Sequence, residues 1–232
     1  MSGSDKENIF MPVVPDPGEI IPEIEKIAGY PDGAEDEMMY KNILKNLDFA
    51  LKIIKPAGLF KSTQISDVTK HSIIADTLTI ESRMWANLAL RMKRPEIICF
   101  FAVTIGHEFD EKLSSLQETS LFNAYLFDAA GSALVEKFSE QAERYVAEKY
   151  MEKGLNFTVR FSPGYCDWKL FPGQRDLFKF LKPEVIGIEL LNKSLMNPEK
   201  SITAAVIGAS EVPLRSPCSF CGKKNCAHRR DR

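Results

Sequence analysis

The chain has no long hydrophobic run. Its longest strongly apolar stretch, Ile97–Ile105, falls far short of the roughly 20 residues that cross a bilayer, so no membrane segment and no membrane partner is expected. It has no excess of either charge: 30 Lys and Arg against 32 Asp and Glu leave a formal net charge of −2, which offers nucleic acid no general attraction. It lacks at its start the basic stretch and apolar core of a secretory signal, and a cytoplasmic location is expected. It also lacks a paired cysteine set, because there are five, and three of them (Cys218, Cys221, Cys226) crowd together near the end. That excludes a disulfide framework and points to metal ligation or redox chemistry.

What is present suits one well-buried core, since 232 residues with 44% hydrophobic and 27% charged content lie at the upper edge of single-domain length. Residues 1–31 carry Pro12, Pro15, Pro17, Pro22 and Pro31, a density that predicts an extended arm. The main domain is expected over 32–212, followed by a Cys-rich tail over 213–232. Asp32 and Glu35 have capping-box spacing, and Met39, Ile43, Leu47, Ala50, Leu51 and Ile54 then draw one helical stripe that Pro56 and Gly58 end. A shorter helix is predicted over Ser82–Met92. The β-rich run Ile97–Thr104 predicts a buried strand ending in a Gly106-His107 turn.

Between about Asp110 and Tyr150 there is no proline, and apolar residues recur at threes and fours, which predicts one long helix or two joined ones, stopped by Gly154. Beyond it Phe157–Phe161 alternates, which would put Phe157, Val159 and Phe161 on one face and turn Arg160 away from the core. A short helix is expected over Gln174–Leu181, and strands over Val185–Leu190 and Ser201–Ile207. Helices and strands in mixed order, without a regular βαβ repeat, predict an α+β fold with a mixed or antiparallel sheet and a long helix.

The stretch Arg160-Phe161-Ser162-Pro163-Gly164-Tyr165 holds the most chemistry. An arginine before a Pro-Gly turn offers a planar donor fork suited to a carboxylate. Gly164 admits close approach to the backbone, and Tyr165 adds an aromatic face and a hydroxyl. Taken alone, the same loop also fits a strand-end turn with a structural ion pair. His107, His71 and the pairs Asp110-Glu111 and Glu143-Glu148 show no arrangement for nucleophilic or acid–base catalysis and are expected to be structural or solvated. In the tail, Cys218, Cys221, Cys226 and His228 have a spacing that suits zinc, or an iron–sulfur cluster given a fourth ligand such as Cys166.

Four ordered stretches resemble the activation (reactivation) domain of cobalamin-dependent methionine synthase: Phe101–Gly106, the long helix with Asn123, Leu134, Glu136 and Phe138, the Arg160–Tyr165 loop, and Leu195–Ile202 with its Met-Asn-Pro-Glu-Lys-Ser. The resemblance implies S-adenosylmethionine binding by Arg160, Tyr165 and Glu136, with main-chain contacts from Ser162 and Gly164. It implies a free-standing reactivation subunit, active in methionine biosynthesis, that supports reductive methylation of cob(II)alamin. No Asp-x-His-x-x-Gly motif occurs, so cobalamin is expected on a partner: a corrinoid protein, or a methionine synthase lacking its own activation domain. Flavodoxin, ferredoxin or a cluster on the tail would supply the electron. The alternative is a corrinoid-protein chaperone or scaffold with a zinc-stabilised tail.

Overall fold

The computed structural model describes residues 8–30, 37–76, 78–192 and 194–213. In chain order its elements are β1 (Asn8–Phe10), α1 (Pro17–Ile27), α2 (Glu37–Ile53), β2 (Ala57–Gln64), β3 (Asp67–Val68), β4 (Ser72–Ala75), β5 (Leu78–Glu81) and α3 (Arg83–Ala89). There follow β6 (Lys93–Thr104), α4 (His107–Thr119), α5 (Leu121–Lys149), β7 (Asn156–Phe157), α6 (Leu170–Leu181), β8 (Glu189–Leu191), β9 (Leu195–Asn197) and β10 (Ser201–Glu211). The main sheet has the order β1-β2-β6-β10-β7, with every neighbouring pair antiparallel. A three-stranded sheet (β3-β4-β5) and the β8-β9 hairpin accompany it. The α+β expectation holds, and among the described residues no helix is long and apolar enough to cross a membrane.

β6 is the spine, and the reason is in its sequence. Eight consecutive residues with no polar alternation suit a strand covered on both faces. Cys99, Phe101 and Val103 project into one apolar cluster with α1, α2, α4 and α5, while Ile98, Phe100 and Ala102 enter a second with α3, α6 and the small sheet. Pro95 lies inside β6 rather than before it, at the point where the register with β10 shifts between Gly208 and Ala209. An irregular ladder tolerates the missing N–H.

Three expectations are corrected, and one that allowed two forms is resolved. The N-terminal segment is not simply extended, because Pro17 occupies the first helical turn under an Asp16 cap and α1 buries Ile20, Ile21 and Ile24 despite Pro22. Of the two forms expected for the long helical region, two joined helices hold: the break is at Ser120, whose extended backbone and side-chain bond to the Asn123 N–H start α5 afresh. The predicted strand Phe157–Phe161 pairs regularly only at Asn156–Phe157 and rejoins β10 through a single Phe161–Ala205 bridge. Within that segment Val159 is exposed and Arg160 buried, the reverse of the simple alternation. Over Val185–Leu190 a 3-10 turn (Pro183–Ile186) and left-handed Gly187 (φ 79°) leave only Glu189–Leu191 as strand. The predicted capping box at Asp32 and Glu35, and Cys218, Cys221, Cys226 and His228, lie outside the described residues.

Candidate functional site

The 29 residues of α5 span roughly 43 Å and lie across one face of the sheet. Along the helix, Leu121, Tyr125, Asp128, Ser132 and Glu136 follow at steps of three and four, and Glu143 comes two turns later, so all fall on one stripe. The apolar positions between them hold α5 to the core through Leu126, Phe127, Leu134 and Phe138. The carboxylates of the stripe meet two cations brought by later segments.

The first cation is Arg160. Its guanidinium is bonded to Glu136, lies 3.3 Å from Glu143, and its side chain is 6% exposed. Glu143 also accepts the Arg160 backbone N–H at 2.8 Å. Glu143 at 25% and Glu136 at 45% exposure retain solvent on their outer sides. The inward turn of Arg160 follows from this pairing, since a buried guanidinium without a counter-charge is costly whereas two carboxylates are waiting. Glu143 is therefore not the solvated helix charge expected of it. The seven-residue spacing to Glu136 puts both carboxylates on one face of α5 but does not disclose the cation they share.

The second cation is Lys200, which bonds Asp128 at 2.6 Å and Ser132 at 2.8 Å with a side chain 14% exposed. It sits in the Met196–Ser201 stretch, folded tightly where Ser201 Oγ donates to the Pro198 carbonyl at 2.8 Å and Asp110 accepts the Glu199 N–H at 2.6 Å. Burial pushes the Asp110 carboxyl up, and the Glu199 N–H pulls it back down in part. Asp110 is thus a clasp between α4 and the start of β10, a role its place in an acidic pair did not disclose. His107 is structural as expected, with Nε2 3.0 Å from the Gly187 carbonyl.

Between these two ion pairs the outer edge of β10 is open. Ala205 exchanges both backbone hydrogen bonds with Phe161, and among the described residues no strand pairs with that edge from Ser201 to Ala204. By the two-residue alternation, Thr203 turns its backbone groups to the same outer side. Immediately past Phe161 the chain leaves the sheet as the Ser162–Trp168 loop, closed by Gly164 N–H to Trp168 O (2.7 Å) and Tyr165 N–H to Ser162 O (3.1 Å).

Gly164 has φ 92°, a conformation that requires glycine, and Tyr165 is partly exposed. The loop is anchored on α3, because Asp167 accepts from the Ser82 hydroxyl at 2.6 Å and the Met84 N–H at 3.1 Å. Trp168 stacks with Phe161 and Trp85 below it. Exposed Cys166 follows Tyr165 at φ 51°. Among the described residues, no cluster of His, Cys, Asp and Glu could hold a metal ion.

Glu136 thus meets Arg160, and Arg160 directly precedes both the Phe161 bridge to the β10 edge and the loop with Ser162, Gly164 and Tyr165, so a helix and a loop far apart in sequence join at this edge. Glu136 and Glu143 both hold Arg160, and the outer side of Glu136, nearly half exposed, meets solvent beside this edge.

Residues 86–214 match the family model described as vitamin B12 dependent methionine synthase, activation domain. A solved structure, the crystal structure of the MetH reactivation domain bound to AdoHcy, has the same fold at 14% identity. The match covers 91% of this chain and 81% of that one, with a TM-score of 0.64. No curated protein sequence matches the chain. The matched segment contains all of α5 and β10 together with the Arg160–Tyr165 loop, more than half of the chain, and on that ground the protein belongs to the family of vitamin B12 dependent methionine synthase activation domains.

Proposed function

We propose that the protein binds S-adenosylmethionine beside the open edge of β10 and serves as a reactivation subunit for a corrinoid held by a separate methionine synthase or corrinoid protein. The observation that supports this reading most is the convergence of Glu136, the Arg160–Tyr165 loop and the Lys200 turn on that edge, all within the family match. The similar solved domain carries AdoHcy, the demethylated form of the same nucleoside.

In this reading the edge groups of β10 and the loop backbone at Ser162 and Gly164 receive the polar parts of the ligand, and Tyr165 flanks it. The solvent-facing side of the Glu136 carboxylate steadies its sulfonium or ammonium group. Arg160 acts as a positioning residue, because its guanidinium is already held by both glutamates and fixes Glu136 at the site. Bound S-adenosylmethionine supplies an electrophilic methyl group, and the residues of this chain contribute orientation of that group toward the partner, a proximity effect. The electron for reduction of cob(II)alamin comes from outside the described residues.

Calorimetric titration of the full chain with S-adenosylmethionine tests this. One site, competed by S-adenosylhomocysteine and weakened at least tenfold by Glu136→Gln, is the expected result. Absence of heat with either nucleoside overturns it and leaves the second reading, a scaffold for a corrinoid protein. That reading draws on one observation: Arg160 is buried and doubly paired, so it does not present a fork to a ligand carboxylate. Binding to a partner corrinoid protein that is tighter in the cob(II) state than in the methylated state supports reactivation, since only a differential affinity can select the inactive form.

A further inference from the structure

On the opposite face of the sheet from α5, a cleft of about 770 Å³ opens between β5 and α6. Its size is that of a small-molecule site, and its lining is divided by chemistry. The floor is aromatic. Phe100 of β6 meets Phe180 of α6 edge-on at 5.2 Å, Leu177 lies one turn before Phe180, and Trp168 is part of the lining.

The rim is cationic. Lys61 stands opposite Phe100 in the β2–β6 register, so both project on this face, and its ammonium lies 4.7 Å from the Phe180 ring centre. Lys169, Lys179 and Lys182 border the same opening. Three carboxylates, Asp76, Glu81 and Asp176, share the opening with these four lysines, and Asp176 is also paired with Arg175 at 2.9 Å. One wall is β5, the outer strand of its sheet, with Thr79 exposed on it.

An aromatic floor favours a flat ring, and a positive rim above a low-dielectric wall favours an anion at its edge. Lysine over an aromatic ring also places a cation where a stacked ligand's charged substituent would emerge. We propose that this cleft binds a flat aromatic molecule bearing an anionic group, at a site separate from the edge of β10 and independent of the function proposed above. The Ser162–Trp168 loop runs from the Phe161 bridge on β10 to Trp168 in the lining of the cleft.

The test uses the full chain and 1-anilinonaphthalene-8-sulfonate, an aromatic anion whose fluorescence rises in an apolar site. Saturable binding at one site is expected. It should weaken tenfold or more in the double variant Lys179→Glu with Lys182→Glu, and again in Thr79→Trp, which fills the cleft from β5. The uncharged analogue N-phenyl-1-naphthylamine should bind at least tenfold less tightly, and saturating S-adenosylmethionine should leave the signal unchanged.

Unaltered binding in both variants, with native circular dichroism, overturns the location. Equal affinity for the uncharged analogue overturns the anionic preference. Displacement by S-adenosylmethionine overturns the separateness of the two sites, whereas failure of S-adenosylmethionine to bind at all touches only the function proposed earlier.

Discussion

The two faces of the main sheet are covered in different ways. On one, α1, α2, α4 and α5 close over Cys99, Phe101 and Val103, and ion pairs line the margin where Glu136, Glu143 and Asp128 meet Arg160 and Lys200. On the other, the short α3, the small sheet and α6 cover Ile98, Phe100 and Ala102 and leave a cleft over Phe100 and Phe180. Long regular helices can tile a sheet without gaps, while short pieces joined by turns leave room between them. A strand buried on both sides has no polar side on which to carry chemistry. Binding groups are therefore displaced to the open edge of β10 and to the gap beside α6.

The largest effect expected from this contrast is on stability. Phe101→Ala, at a fully buried position on the tiled face, should cost about 4 kcal/mol in denaturant unfolding, through lost burial and an unfilled cavity. Phe180→Ala, whose ring borders the cleft, should cost about half as much, roughly 2 kcal/mol, because the space it leaves joins the cleft and can fill with water instead of staying an enclosed void. Equal costs would mean that the cleft is as tightly packed as the helical face and would break the comparison.

Within the polar margin the prediction sharpens to individual carboxylates. Glu143→Ala removes both a counter-charge of buried Arg160 and the acceptor of its backbone N–H, and is expected to cost about 2–3 kcal/mol. Glu136→Ala should cost about 1 kcal/mol or less, since that carboxylate is nearly half exposed. The reverse order would show that Glu136 carries the structural load and would weaken its assignment to ligand binding.

A smaller effect concerns pH. Burial holds the Asp110 carboxyl above its usual 3.8, so the folded protein keeps this proton to higher pH than the unfolded chain does. The contribution is fully present below the unfolded value and is lost as pH rises through the folded one. Asp110→Asn removes the titration and can still accept from the Glu199 N–H. Its melting temperature relative to wild type should therefore rise with pH above about 4. A difference that stays flat with pH would remove Asp110 as a titrating clasp.

The smallest effect is a matter of reactivity. Cys99 faces the tiled side, where burial drives its thiol well above the ordinary range, while Cys166 is exposed on the loop. Brief alkylation of the native protein followed by peptide mapping should label Cys166 and spare Cys99 until the chain unfolds. Labelling of native Cys99 would show that the helical layer opens on the timescale of the reaction.

How far the chain could be understood from its sequence varies element by element. The apolar stripe from Met39 to Ile54 became α2, the run Ile97–Thr104 became the core of β6, and Ser82 capped α3, because spacing and capping are local properties. The Arg160 segment was misjudged for a physical reason. Alternation tells the faces of a strand apart only when one face is wet, and here the segment leaves the ladder and its arginine finds carboxylates 17 and 24 residues earlier in the chain. The Pro-rich start was misjudged because tertiary burial of Ile20, Ile21 and Ile24 against the rest of the core outweighs a lost helical hydrogen bond.

By itself the sequence determined the fold class, the long helical region, the buried strand and the loop with its obligatory glycine, all features set by periodicity or by a backbone conformation that one residue type allows. Only the tertiary structure decided which charges meet. The pairing of Arg160 with Glu136 and Glu143, of Lys200 with Asp128, the clasp at Asp110 and the lysine-rimmed cleft each join residues from separate elements. Such a pairing costs desolvation that is recovered only when the packed core holds both partners in place, and no spacing along the chain encodes that.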